Sequence, residues 1–146
     1  MVYKYIRNIL VLIAITVWIA VFSVDDKLHI IACDVGQGDA ILIQKNTTQI
    51  LIDGGPDKSV LDCLGRHMPF WDRHIELVIL THPQLDHYGG LIDVFKNYKI
   101  GLFGEYNRES SNVSYQVLEK AVVDRVTLTR GTKLRLGMIY LDIVYP

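Results

Sequence analysis

Within residues 81–91, THPQLDHYGGL, two imidazoles and a carboxylate fall inside six positions: His82, Asp86 and His87. Nitrogen and oxygen donors at that density suit a divalent cation, which takes imidazole and carboxylate ligands at a common point. The apolar run IELVIL, residues 75–80, precedes them and reads as a buried strand. Pro83 disfavours helix at His82, so the donors ride on an extended turn at the strand's C-terminal end. Gly89 and Gly90 then let the backbone pass close to whatever lies beside it. Two loop histidines with ordinary hydrogen bonds are the alternative reading.

The elements that must position this turn begin with three strands, residues 28–34, 40–45 and 49–53, joined by VGQGD and NTT turns into an antiparallel meander. The glycines of VGQGD are read as a hairpin turn rather than a phosphate loop, because no Gly-Lys-Ser/Thr follows. Asp53 closes the third strand ahead of Gly54-Gly55-Pro56. Asp57 or Ser59 can cap a short helix that buries Val60, Leu61 and Leu64 and ends near Gly65. Beyond the histidine turn, residues 90–98 read as a helix, 100–103 as a strand, 104–112 as a polar loop and 114–122 as another helix. Residues 124–129 and 133–136 are expected to pair as a hairpin about Arg130-Gly131, with Arg125, Lys133 and Arg135 on its polar face, and 139–144 to form the last strand.

The histidine turn resembles the H-x-H-x-D-H signature of the metallo-β-lactamase superfamily, read here as His82, Gln84, Asp86 and His87. Gln84 departs from the pattern: a second histidine is usual there, and a neutral amide oxygen is a poorer ligand. CDVGQGDAILI and ILIDGGP resemble the opening of the domain in the superfamily's ComEC-type competence branch and its stand-alone relatives. The resemblance runs over residues 28–146 and stops at the midpoint of the family's fold. It implies an α/β architecture, the N-terminal half of an αββα sandwich. It also implies one or two divalent metals, Zn or Mn, in the complete fold: His82, with Gln84, at the first position, and Asp86 and His87 at the second. Asp86 and Asp53 would take part in catalysis, with Asp53 and Thr81 bracing the ligand turn. The helix after His87 would offer backbone N–H groups to an anion such as phosphate. The chemistry implied is hydrolysis of an ester, amide or phosphodiester.

Three further ligands are implied from a second half, and His29, His67 and His74 match none of them. The chain alone is therefore expected to hold one ion or none and to lack appreciable phosphodiesterase activity. The leading expectation is a membrane-anchored, ComEC-like metal-dependent hydrolase acting on nucleic acid or another phosphodiester and linked to DNA uptake. Its rivals are a stand-alone extracytoplasmic hydrolase of other substrate and an inactive binding domain, the latter favoured by Gln84 and the missing ligands.

Composition bears on location more than on chemistry. Of 146 residues, 50% are apolar, and part of that excess lies in residues 9–24, ILVLIAITVWIAVFSV, which carry no charge. As a helix this stretch would be about 24 Å long. Lys4 and Arg7 precede it and Asp25-Asp26 follow, which orients an N-terminus in the cytoplasm and the domain outside. Residues 1–27 are thus read as a single transmembrane anchor and 28–146 as the domain, with a cleaved signal peptide ending near Ser23 and a buried core helix as alternatives. The net charge of -1 demands no nucleic acid. Cys33 lies in an expected strand and reads as a small buried hydrophobe, with a Cys33–Cys63 bridge as the alternative in an oxidising compartment. The apolar faces of 28–53, 77–81 and 139–144 call for cover, either from the missing second half of the domain or from a second copy of the chain.

Overall fold

The computed structural model describes residues 2–106, 113–122 and 124–145. Helix α1, Val2–Phe22, takes in Lys4 and Arg7 as well as the apolar run. Its window Val2–Ile19 has a mean hydropathy of 1.6 and none of it is buried, so α1 is long and apolar enough to be a membrane span or a signal sequence.

The meander forms as its alternation dictates: β1 (Leu28–Ala32), β2 (Ile41–Lys45) and β3 (Thr48–Ile52) pair antiparallel. Lys45 opposes Thr48 across a two-residue turn, and Asn46 supplies the left-handed conformation that such turns need. From β3 to β6 helices link successive strands, which return parallel. The order is α2 (Ser59–His67), β4 (His74–Leu80), α3 (Leu85–Tyr88), α4 (Leu91–Asn97), β5 (Lys99–Glu105), α5 (Val113–Ala121) and β6 (Arg125–Thr127). One six-stranded sheet results, in the order β1-β2-β3-β4-β5-β6. Because β3 and β4 run parallel, Asp53 and Thr81 leave the sheet at the same edge.

Alternating side chains divide the sheet into two faces. Leu51, Val78 and Phe103 point to the helices and pack with Leu64, Tyr88 and Leu91, all at most 1% exposed. Ile50, Leu77 and Ile79 point the other way, where a two-stranded ribbon of β7 (Lys133–Leu136) and β8 (Ile139–Asp142) lies over them.

Four expectations from the sequence change here. Residues 124–129 do not form a hairpin with 133–136; β6 joins β5 in parallel, held by the Arg125 guanidinium on the Glu105 carboxylate at 3.0 Å and on the Glu119 carbonyl. The last strand, expected over 139–144, ends at Asp142; it pairs with β7 about Gly137 and folds across the main sheet, so the face expected to lack cover is partly covered. The expected polar loop from 104 starts later, because Glu105 ends β5 at 1% exposure with its charge met by Arg125 and by the Tyr115 hydroxyl; residues 107–112 of that loop lie outside the described residues. Cys33 is not a free buried thiol: α2 brings Cys63 against the end of β1, and the two are bridged, with Cα atoms 5.7 Å apart.

Candidate metal centre

The centre is built at the sheet edge where β3 and β4 end. Asp53 sits one residue past β3 with φ 57, a left-handed conformation that Asp tolerates better than most residues. Its N–H donates to the Ile79 carbonyl at 2.8 Å, which turns the carboxylate toward the end of β4. There Oδ1 accepts the Thr81 N–H at 2.9 Å, and Oδ2 accepts the Thr81 hydroxyl at 2.7 Å and the His87 ring Nδ1 at 2.8 Å. Asp53 and His87 are both buried. With three donors on its two oxygens, Asp53 acts as a brace.

That brace fixes the imidazoles. A carboxylate only accepts, so in the neutral ring His87 carries its proton on Nδ1 and presents a bare Nε2. The Thr81 hydroxyl spends its hydrogen on Asp53, so toward His82 Nδ1, 3.1 Å away, it can only accept. His82 is thereby also an Nδ1–H tautomer with Nε2 open. The two rings lie 3.8 Å apart between centroids. One buried carboxylate thus sets the tautomer of His87 directly and that of His82 through Thr81.

The carboxylates come from two loops. Asp86 is half-buried in α3, and its carboxylate makes no hydrogen bond or ion pair among the described residues. Gly38, at φ +93, lies so close beneath it that a Cβ would stand 2.0 Å from the Asp86 carbonyl oxygen. This contact brings the neighbouring Asp39, missed by sequence reasoning, to the centre. Asp39, Asp53 and His87 offer ligand atoms within 4.8 Å of one another, and this is the group of three so gathered among the described residues. In the sequence Asp39 shows only as a hairpin-turn residue. Its place depends on a contact 48 positions along the chain from Gly38, which no local pattern signals. Gly55 N–H on the Asp39 carbonyl and Gly54 N–H on the His87 carbonyl bind the three loops together.

Gln84 is exposed and caps α3 only through its backbone carbonyl, which accepts the N–H groups of His87 and Tyr88. The helix after His87 does not offer an open N-terminus as the resemblance implied. The Gly90 N–H is already donated to Gly55, and a Cβ at Gly90 would meet the Gly54 carbonyl at 2.1 Å. Imidazole nitrogen beside carboxylates is a donor set that fits a divalent cation, and Asp39, Asp53 and His87 are the residues gathered closely enough to share one, while His82 and Asp86 lie outside that group among the described residues.

Comparison with known proteins agrees with this architecture. Rm3 metallo-beta-lactamase superimposes with a TM-score of 0.58 at 17% identity, over 82% of this chain and 48% of that one. MEM-A1, a subclass B3 metallo-beta-lactamase isolated from a soil metagenome library, gives 0.54 at 18% identity, over 83% and 50%. At these identities the likeness bears on the fold, and the chain spans about half the length of the structures it matches. No curated protein matches. The family model for the metallo-beta-lactamase superfamily matches residues 33–111. That span is more than half of the chain and holds β2, β3, the Asp53 brace and the histidine turn, and by it the chain belongs to the metallo-beta-lactamase superfamily.

Proposed function

We propose that this chain carries the N-terminal half of the ligand set of a metal-dependent hydrolase, held at a membrane by α1 with its domain outside the cytoplasm, and that its substrate is a phosphodiester, nucleic acid included. The observation that supports it most is the Asp53 carboxylate, which leaves Nε2 as the unprotonated nitrogen of the neutral ring in His87 directly and in His82 through Thr81. Such an arrangement has little use in a loop that merely turns. A bound divalent ion, Zn or Mn, would polarise a substrate oxygen and lower the pKa of water toward neutrality. The chain's own residues fix the tautomer and orientation of the imidazoles and leave the Asp86 carboxylate unengaged at the same edge. The phosphodiester substrate and the link to DNA uptake rest on the CDVGQGDAILI and ILIDGGP stretches.

Calorimetric titration of the full chain with Zn²⁺ and Mn²⁺ tests this. His87→Ala is expected to abolish binding, Asp53→Asn to weaken it about 10- to 100-fold, and Gln84→His to strengthen it, since an imidazole replaces a weak neutral oxygen. Binding untouched by His87→Ala would overturn the reading. Gln84 favours a second one, a fold kept for binding after losing catalysis: wild type that takes up no metal while Gln84→His does would establish it.

A further inference from the structure

At the far end of β4 from the metal centre, the chain exposes two large aromatic side chains on a turn that is built to be stiff. Met68, 5% exposed, pins the start of this turn in the core, and the Asp72 N–H closes it on the Pro69 carbonyl at 2.8 Å. The buried Asp72 carboxylate accepts the Gln49 side-chain amide and the His74 N–H, which fixes the turn's exit. Phe70 and Trp71 are thereby held outward, at 66% and 38% exposure. Both rings lie 6.1 Å from Phe22, the last residue of α1, and Phe22 in turn lies 4.7 Å from Trp18. Arg66 and Arg73, both exposed, flank the turn, and Arg73 is steadied by the Tyr98 hydroxyl and ring.

Aromatic rings backed by arginines, continuous with the end of an apolar helix, match the chemistry of a lipid headgroup layer. Rings partition to that depth and guanidinium groups meet phosphates there. The acidic residue nearest α1, Asp25, is engaged by the Lys27 N–H and the His29 ring. We propose that the Phe70–Trp71 turn, flanked by Arg66 and Arg73, rests in the interfacial layer of the bilayer that α1 spans and so seats the domain on the membrane at a second point. This rests on reading α1 as a span. Since β4 runs seven residues from this turn to Thr81, the metal centre is carried about 20 Å from it, at the opposite edge of the sheet.

The test uses the full chain in vesicles of phosphatidylcholine and phosphatidylglycerol, with lipids brominated near the headgroup end of the acyl chain as quenchers. Trp18→Phe leaves Trp71 as the reporter, and Trp71→Phe leaves Trp18. Trp71 emission is expected to fall about twofold in brominated vesicles and to resist aqueous iodide, as for an interfacial tryptophan. Arg66→Glu with Phe70→Asp, added to Trp18→Phe, should restore most of that emission. Quenching of Trp18 without quenching of Trp71 would overturn the proposal while leaving the span intact. Quenching of neither would overturn the span reading and the proposal with it, and Trp71 quenching unchanged in the double substitution would deny the turn its role.

Discussion

On the helix-covered face of the sheet, Leu51, Val78 and Phe103 meet helices whose inward residues are as fully buried as they are. On the opposite face, Ile50, Leu77 and Ile79 meet a ribbon of two four-residue strands, and Leu134, Leu136 and Leu141 on that ribbon remain half-exposed. A cavity of about 550 Å³ stays open there, lined in part by Ile52, Ile79, Thr81 and Leu141. The contrast teaches where rigidity is placed. Cohesion sits with the helices, which also carry Asp86 and His87, while the second face leaves a half-open wall beside Thr81.

The largest expected effect is a difference between the faces. Leu91→Ala should cost about 2–5 kcal/mol, the range for a fully buried leucine, whereas Leu141→Ala, on the half-exposed ribbon, should cost about 1 kcal/mol. Urea unfolding of the two variants checks this, and equal losses would erase the distinction. Next comes the Cys33–Cys63 bridge, which ties the helix-covered side to β1 across a separation of 30 residues. By loop entropy its reduction should cost about 3–4 kcal/mol, read as a lower urea midpoint in dithiothreitol. An unmoved midpoint would mean that packing alone holds α2 to the sheet.

Two glycines sharpen the comparison at the level of loops. Gly38→Ala meets both a left-handed φ of +93 and the Asp86 carbonyl at 2.0 Å, so it should destabilise by about 1–3 kcal/mol and weaken metal uptake. Gly131→Ala, in the turn leading to β7, has φ +87 and open space around it, so it should cost about 1 kcal/mol and leave metal uptake alone. Paired melting curves and titrations separate the two. The smallest effect is alkaline. Burial and the Glu105 carboxylate push the Tyr115 phenol above its ordinary value of 10.0. A folded state that holds its proton more tightly than the unfolded one loses stability as pH rises past the unfolded value. Stability should therefore fall above about pH 10, and the slope should be shallower in Tyr115→Phe.

The strands of the meander, β4 and the helix from Leu91 were legible because each carries its own periodicity. The approach of His82 and His87, whose rings lie 3.8 Å apart, was legible because they share one turn. What escaped depends on pairs far apart in the chain. Arg130-Gly131 does turn the backbone, with the Thr132 N–H on the Thr129 carbonyl, yet it leads from one layer to the next rather than closing a hairpin. No local rule separates those outcomes when the strands on either side both alternate. Glu105 read as the polar start of a loop because its partners, Tyr115 and Arg125, lie 10 and 20 positions on. Asp39 and the Cys33–Cys63 pair likewise became visible only with the loops assembled.

The bridge between Cys33 and Cys63 closes residues 33–63 into a covalent ring, and the centre straddles its boundary. Asp39 and Asp53 lie inside the ring; His82, Asp86 and His87 lie on the open strand beyond it. A protease that cuts once anywhere between the two cysteines opens the ring without freeing a fragment, so both acidic residues stay tied to the histidines they face. A cut between Cys63 and His82 severs that tie and leaves only hydrogen bonds and packing across the centre. The ring thus concentrates the consequence of backbone cleavage on residues 64–81, from the last turns of α2 through β4.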